Sequence, residues 1–507
     1  MSARPSAFHR SNVFAAIVVA GFAGLVLLPF LGRGSLADWD EAIYAEVSKQ
    51  ILARSSWVTL HWHFNQWFEK PPLLMWITAL FFKLFGVAEV WVRLPSALAG
   101  VGTAWTTYLL GARIYSRAVG VIAALVLLSG YQFVGAARFG TTDVLLTFFT
   151  YLAIYAVERT RENGRWWILA GIAIGLGIMT KGAAGVIAPA IIFLTLLLTG
   201  RIASTLRDRG FWLGALAGLA VALPWHLAVY LAHGDVFLAK YIGYHVLERT
   251  AKPLEGHVGG AAYYIYVVVL RFAPWSWLVP VGVVCGIRHY LCDRSRSPVL
   301  LIAAAFILLL TTAVKTKLEW YIVPIYPALA VLIAAAIYEA YRNSEAAYAS
   351  VVFSAGLAAG SAGMRASALV AGGLAAAVLL PFVRRQHLVA ACGAVLFAIA
   401  LYGLRPLYQA SFSPVATLAT RIGQEGDDPR HPLIVASGLV WPAPHFYSGH
   451  IIQAAFTDDQ LREYTEGKPP QRILIKEEDV SRLAPEYDFA LRGRESEWIY
   501  AVVTPRQ

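Results

Sequence analysis

Apolar residues run along this chain in blocks long enough to cross a bilayer, separated by short polar turns. The stretches fall at roughly 13–31, 93–112, 118–137, 142–158, 166–180, 183–200, 211–232, 263–287, 298–314, 320–341, 349–362, 366–383 and 388–404. A spanning helix needs about 20 apolar residues, so the pattern predicts about 13 transmembrane helices, several of them short or tilted. The run 71–86 is also apolar, but Lys83 interrupts it and it follows the polar, Trp-rich stretch 55–70; this predicts an interfacial or re-entrant helix. From 405 the pattern changes. Pro, Asp, Glu and Arg return, and β-like runs at 433–436, 451–456, 472–476 and 498–503 alternate with helical stretches at 458–466 and 477–484. The expected organisation is a transmembrane domain over 1–404 and a small α/β domain over 405–507. No repeat of 20–50 residues is visible.

Composition sharpens this picture. The chain is 58% hydrophobic and only 14% charged, where a soluble domain carries about 25% charged residues. Lipid must solvate most of that apolar surface. Three cysteines in 507 residues exclude a disulfide scaffold. Cys285 and Cys292 fall at the inner end of a span and Cys392 lies near the inner face, where disulfides do not persist. The aromatic content, with 16 Trp, 24 Tyr and 25 Phe, excludes a disordered chain.

A net charge of +11 raises nucleic acid as a partner, but the arginines sit in short loops between apolar runs. With the N-terminus cytoplasmic, the inside loops carry Arg4 and Arg10, Arg113 and Arg117, Arg159 to Arg165, Arg201 to Arg209, Arg288 to Arg296, Arg342, and Arg384 with Arg385. Every inside loop is then basic, as the positive-inside rule requires. Counting 71–86 as a span would invert every later loop. This reading excludes nucleic acid and expects a multi-pass protein of a bacterial plasma membrane, its C-terminal domain outside. The segment 13–31 has no small-x-small cleavage site and reads as a retained anchor. The absence of an N-x-S/T sequon fits a bacterial source.

The unusual charged residues and histidines gather in the outer loops 32–92 and 233–262 and in short outer turns. Asp38, Asp40 and Glu41 crowd together just past the first span, with Tyr44 on the Asp40 face at i,i+4. Such carboxylates bind a cation, act as a base, or merely hydrate a helix N-terminus. Glu69 and Lys70 are held rigidly by Pro71 and Pro72; a lysine there meets a lipid phosphate or simply snorkels. Arg138 and Asp143 flank one outer turn, where Asp143 could also be no more than a helix cap. Lys181 sits on a tight glycine turn. His245, Glu248, Glu255 and His257, with Arg249 among them, offer four metal ligands from the two His and two Glu, or simply an exposed polar loop. Lys315, Lys317, Glu319 and Tyr321 close the set. Topology puts all of these on one face, which suits a substrate with a lipid tail and a phosphate head. Acids there could activate a hydroxyl and cations could stabilise a departing phosphate.

Taken in order, these pieces resemble a family. Asp40-Glu41-Ala42-Ile43-Tyr44-Ala45-Glu46, Glu69-Lys70-Pro71-Pro72-Leu73, Arg93-Leu94-Pro95-Ser96-Ala97, Asp143 with Phe148-Phe149, Lys181-Gly182, Pro274-Trp275-Ser276, and Tyr321 through Pro324 to Pro327 are similar to bacterial lipid-linked-sugar glycosyltransferases of the GT-C class. These are the family-39 type, related to protein O-mannosyltransferases and to the aminoarabinose transferases that modify lipid A. The resemblance covers roughly 1–340. It implies a polytopic α-helical GT-C fold and a polyprenyl-phosphate sugar donor. The acceptor would be a glycolipid or glycan, lipid A among them, on the outer side. Asp40 falls on the family's catalytic base, Asp143 on its second acidic loop, and Lys70 on its donor-phosphate lysine. Glu69 falls on a carboxylate that binds zinc in some members, with His245 or His257 as partner, so a divalent metal (zinc or magnesium) is the one cofactor implied; no organic cofactor is. Glu41 is grouped with the catalytic acids. Tyr44, Arg138, Lys181, Arg249, Lys317 and Tyr321 are the expected donor and substrate contacts. Ile43 departs from the family's Arg. Arg271, inside a span, is expected to pair with an acid or meet the donor phosphate.

Two further readings stand beside this one. A protein Ser/Thr could be the acceptor. A lipid flippase would place its polar groups near the bilayer midplane on paired broken helices, whereas these acids cluster at one surface.

Overall fold

A computed structural model describes residues 7–37, 39–62, 65–254, 256–273, 275–343, 413–425, 432–436, 442–450, 452–455 and 457–506. The chain divides into two compact units: Met1–Pro29, Phe68–Leu74 and Leu94–Tyr408 form the first, and Phe30–Trp67, Met75–Arg93 and Gln409–Gln507 the second. The sequence boundary at 404/405 and the expected spans at 349–362, 366–383 and 388–404 lie outside the described residues.

The first unit is helical. It contains α1 (Ala7–Leu27), most of α4 (Glu89–Ile114), α5 (Arg117–Leu128), α6 (Tyr131–Arg138), α7 (Thr142–Arg159), α8 (Trp166–Lys181), α9 (Ile187–Leu198), α10 (Ile202–Arg207) and α11 (Arg209–Leu238). Then follow α12 (Arg249–Ala251), α13 (Tyr263–Arg271), α14 (Val279–Cys292), α15 (Val299–Ala313) and α16 (Tyr326–Asn343). Among the described residues, three continuous helical stretches are long and apolar enough to cross a membrane alone: Trp166–Leu198, Arg209–Ala251 and Glu319–Arg342. The α5–α6 pair, bent by 69°, makes a fourth.

Several expected spans are broken. The stretch 263–287 is two helices, α13 and α14, parted by a turn. The spans expected at 183–200 and 320–341 open in 3₁₀ turns, Gly182–Val186 and Glu319–Ile325. Each break costs helical hydrogen bonds, which neighbouring protein must replace at membrane depth.

Glycines set the tightest approach. A Cβ on Gly171 would lie 1.8 Å from the Gly214 carbonyl, and one on Gly214 would lie 2.2 Å from the Trp167 carbonyl. Only bare backbone lets α8 and α11 meet this closely, the packing mode favoured between membrane helices. Further along, α11 kinks at Gly234, where φ is 51°, and gives way to a π-helical segment, Ala239–Glu248.

The second unit holds α2 (Asp40–Arg54), most of α3 (Leu73–Phe85) and a short hairpin of β1 (His61–Trp62) and β2 (Asn65–Gln66). It also holds a five-stranded sheet of β3 (Leu433–Ala436), β4 (Ile452–Ala455), β5 (Gln471–Lys476), β6 (Tyr487–Glu495) and β7 (Trp498–Pro505), in the order β4-β3-β5-β7-β6. β3 is parallel to β4 and β5, while β7 is antiparallel to β5 and β6. Helices α17 (Pro414–Gln424), α18 (Pro442–Ser448), α19 (Asp458–Thr465) and α20 (Glu477–Leu483) complete it. The strands alternate between two buried faces. Ile434, Ile473, Ile475, Ala501 and Val503 fill one, and Leu433, Val435, Leu474 and Tyr500 fill the other, beneath Val415, Leu418 and Ile422 of α17. Most of the segment between α1 and α4 belongs to this unit: Leu36, Ala42 and Ala45 share a core with Phe82, Val92, Ala443 and Phe446.

Candidate functional site

The first unit holds an open-sided cavity of about 320 Å³ lined by polar groups from distant parts of the chain. Glu69 and Lys70 enter from the segment before α3, Asp143 from the first turn of α7, and Lys181 from the last turn of α8. Tyr241, His245 and Arg249 enter from the π-helical segment and α12, and Tyr321 from the 3₁₀ turn before α16. Apolar walls come from Leu146, Ile187, Leu310, Val314 and Pro324.

Irregular backbone presents most of these groups. Gly182, at φ +56°, ends α8 just beyond Lys181, and a Cβ there would lie 2.3 Å from the Tyr241 hydroxyl oxygen. In the π-helical segment the turn is wider than in an α-helix, a feature that recurs at functional sites.

The polar groups are linked. Lys181 Nζ lies 2.5 Å from Asp143 Oδ1, with side chains 11% and 3% exposed. The same ammonium lies 5.0 Å from the centre of the Tyr321 ring. Arg249 Nη1 donates to Tyr321 Oη at 3.3 Å. His226 Nε2 and Tyr241 Oη are 3.0 Å apart. His245 Nδ1 is buried without a hydrogen-bond partner among the described residues, and Lys70 and Arg249 place positive charge beside its ring. Lys70, Lys181 and Arg249 thus face Glu69 and Asp143 in a partly apolar enclosure, an arrangement that favours an anionic group next to hydrocarbon.

Seven of the residues expected from sequence therefore share one cavity: Glu69, Lys70, Asp143, Lys181, His245, Arg249 and Tyr321. Three others in the first unit have different placements. Arg138 is buried and donates to the Leu27 carbonyl at 2.9 Å, closing the end of α1. Lys317 Nζ donates to the carbonyls of Thr311, Thr312 and Val314, capping α15. The His257 carbonyl accepts from Lys317 N, and His257 is not among the cavity residues. Among the described residues, three His, Cys, Asp or Glu ligand atoms converge at Cys285, His289 and Glu339, not at the cavity. Arg271, expected to find an acid or the donor phosphate, pairs with Glu319 at 2.9 Å.

Asp40, Glu41 and Tyr44 belong to the second unit. Asp40 is the half-buried first residue of α2, preceded by Trp39 at φ 73°, a conformation rare for a large side chain. Glu41 is buried and clamped. Arg93 donates to both its carboxylate oxygens, at 2.8 and 3.1 Å, and also to the carbonyls of Leu31, Arg33 and Ser35. Tyr44 is buried with its ring edge-on to Trp67 at 6.0 Å. Sequence reasoning missed Tyr241 and its partner His226. Tyr241 stands three residues from another tyrosine, and nothing in the pattern separates the two.

Residues 69–227 match the sequence family described as dolichyl-phosphate-mannose-protein mannosyltransferase. The undecaprenyl phosphate-alpha-4-amino-4-deoxy-L-arabinose arabinosyl transferase of Shewanella sediminis is 29% identical over 343 residues, covering 66% of this chain and 62% of that protein. The corresponding enzyme of Pseudomonas savastanoi is 31% identical over 64% of this chain and 61% of that protein. The chain thus matches about three fifths of the length of these relatives. The crystal structure of ArnT from Cupriavidus metallidurans bound to undecaprenyl phosphate superposes with a TM-score of 0.74 at 21% identity, covering 98% of both chains. The Archaeoglobus fulgidus oligosaccharyltransferase superposes at 0.56 with 14% identity, covering 93% of this chain and 70% of that one. The chain has the GT-C membrane fold and is related to the undecaprenyl-phosphate aminoarabinose transferases.

Proposed function

We propose that this GT-C protein transfers a sugar from a polyprenyl-phosphate donor to lipid A or another envelope glycolipid, at the outer face of a bacterial inner membrane. The observation that carries the reading is the cavity in which Lys70, Lys181 and Arg249 meet apolar walls. A phosphate fits the cations, and the first isoprene units fit the walls. The related transferases, and the ArnT structure holding undecaprenyl phosphate, support the donor class. The basic loops support a cytoplasmic N-terminus and an outward-facing site.

The reaction is a single displacement. The acceptor oxygen attacks the anomeric carbon, the bond from that carbon to the phosphate oxygen breaks, and the phosphate leaves with the electron pair. The acceptor proton passes to a carboxylate, which we assign to Asp40. Its place at the start of α2, after the strained Trp39, supports this. Glu41 serves instead as a positioning residue through Arg93. Asp143 orients Lys181 toward the cavity, and the cations neutralise the departing phosphate. One displacement inverts the anomeric centre. Glu69 and His245, whose buried Nδ1 has no hydrogen-bond partner among the described residues, would hold a zinc-class divalent cation. Such an ion would supply further positive charge at the phosphate.

The test is mass spectrometry of envelope lipids and proteins from cells making the wild-type chain or Asp40→Asn, with donor lipid present. A sugar-mass increment on a glycolipid with wild type alone supports the proposal. An increment confined to protein Ser/Thr supports the second acceptor reading, which the protein mannosyltransferase match favours. Identical profiles with both chains folded would sink the transferase reading and leave a flippase.

A further inference from the structure

The described residues contain a second cluster of ligand-bearing side chains, remote from the cavity along α16. Tyr321 lies in the turn just before α16, whereas Glu339 lies 13 residues into that helix, a rise of about 20 Å. Glu339 meets Cys285 and His289, which stand four apart on one face of α14. The sequence Gly282-Val283-Val284-Cys285-Gly286-Ile287-Arg288-His289 brings them together. A Cβ on Gly282 would lie 2.8 Å from Ile333 N, and one on Gly286 would lie 2.6 Å from a Leu332 methyl. The two glycines let α14 lie against α16, so that a thiol, an imidazole and a carboxylate converge.

We infer that Cys285, His289 and Glu339 form a binding site for a zinc-class divalent cation. Cys285 Sγ is 2.9 Å and His289 Nε2 is 3.1 Å from Glu339 Oε2, and Sγ is 4.0 Å from Nε2. Tetrahedral zinc, with bonds of about 2.3 Å to sulfur and about 2.0–2.1 Å to nitrogen or oxygen, sets ligand edges of about 3.3–3.6 Å. The three observed edges bracket that range, so modest side-chain rotations complete the geometry. The donor set of one sulfur, one nitrogen and one oxygen is that of a borderline-soft ion and not of magnesium or calcium. Cys285 is nearly buried, whereas the His289 and Glu339 side chains are 27% and 35% exposed, so a fourth position opens to water.

Without metal, the thiol donates its proton to Glu339. Metal binding replaces that hydrogen bond: the S–H bond breaks, sulfur coordinates as thiolate, and the proton leaves to solvent. Thiolate, neutral imidazole and carboxylate then balance the two positive charges of the ion. Bound metal would pin α14 to α16, the helix that follows the cavity residue Tyr321.

The experiment uses the full chain in detergent, stripped with chelator and titrated with Co²⁺ as the spectroscopic probe. Thiolate-to-cobalt charge transfer appears only with sulfur ligation, so a cation held by Glu69 and His245 gives no such band. Wild type should show the band, saturate it, and lose it to Zn²⁺. Cys285→Ser should abolish it. His289→Ala and Glu339→Gln should each weaken Co²⁺ binding at least about tenfold, since even an outer partner of a metal ligand is worth about 10–100-fold. Should Cys285→Ser fail to fold, the Cys292→Ser/Cys392→Ser double variant decides, because Cys285 is then the only thiol and must keep the band. No band in wild type, or a band lost with Cys292 and Cys392, overturns the site and leaves a hydrogen-bonded Cys–Glu–His cluster.

Discussion

Removing one member of the Asp143–Lys181 pair should harm the fold more than removing both. The two side chains are 3% and 11% exposed and 2.5 Å apart, so neither charge has water to fall back on. Lys181→Met removes the ammonium that sits 2.5 Å from a carboxylate only 3% exposed, and breaking a buried pair in this way costs about 3–5 kcal/mol. That is roughly two to four decades in the unfolding equilibrium. Loss of the ammonium over the Tyr321 ring, 5.0 Å from its centre, contributes about 0.5–2 kcal/mol of the same sign. Asp143→Asn with Lys181→Met removes both charges, and an uncharged pair of similar volume in such a site is often neutral or stabilising. The double variant should therefore recover about 2 kcal/mol or more relative to Lys181→Met. Equilibrium SDS unfolding in mixed micelles, followed by Trp fluorescence, measures this. Binding of undecaprenyl phosphate separates structure from function: the recovered double variant should still bind it poorly, because Lys181 is gone. If the double variant is no more stable than Lys181→Met, the pair is not energetically coupled and the electrostatic account of the cavity fails.

Other outcomes follow from single contacts. Arg93→Lys should destabilise the second unit by about 2–4 kcal/mol, because an ammonium cannot reproduce the guanidinium fork that bridges Glu41 and three loop carbonyls; hydrogen exchange of the α2 amides reads the loss, and unchanged protection would refute the clamp. His445 is held down at about 4 by burial, with Lys49 adding to the effect, even though Glu46 lies 3.5 Å from its ring. The unfolded chain therefore takes up a proton below about pH 6.5 that the folded unit refuses, so stability is full above pH 6.5 and falls toward pH 4, by about 3 kcal/mol in all. Melting the second unit across that range should show the slope, and His445→Gln should flatten it. Gly182→Ala forces a side chain to φ +56° and sets a methyl 2.3 Å from the Tyr241 hydroxyl; a left-handed residue alone costs about 1–2 kcal/mol, and retention of wild-type undecaprenyl phosphate binding would show that Tyr241 is not held against this turn.

The membrane helices and the one-sided cavity were legible because they rest on patterns that local sequence carries. Apolar runs of spanning length mark the helices, and the unusual polar residues gather in the turns that the loop charges assign to one face. Seven expected residues converge for that reason. The breaks were not legible. Residues 263–287 read as one apolar run, yet the helix stops after Arg271 and restarts at Val279; apolar composition is blind to where backbone hydrogen bonds are surrendered. The sheet shows the same limit from the other side. β3 and β5 announce themselves as apolar runs, but β6 is mostly exposed and charged and is held as a strand by pairing with β7, a tertiary cause that no local window contains.

Arg138, Lys317 and Glu41 teach a sharper lesson. Each is a charged residue that the sequence reading puts next to the outer surface, as a substrate contact should be. Each also has a structural partner: Arg138 holds the end of α1, Lys317 the end of α15, and Glu41 pairs with Arg93. A helix that ends at the membrane surface leaves carbonyls facing little water, and a buried cation is an efficient way to satisfy several at once. The residue type, the face and the position are therefore the same for a catalytic charge and for a cap. The observed partners are the guide: backbone carbonyls for Arg138 and Lys317, and other cavity-lining side chains for Lys181, Arg249 and Tyr321. That criterion also isolates Cys285, His289 and Glu339, whose partners are one another. It sets apart two groups of side chains in the first unit, the cation-lined cavity and the Cys285–His289–Glu339 cluster, with α16 leading from Tyr321 to Glu339.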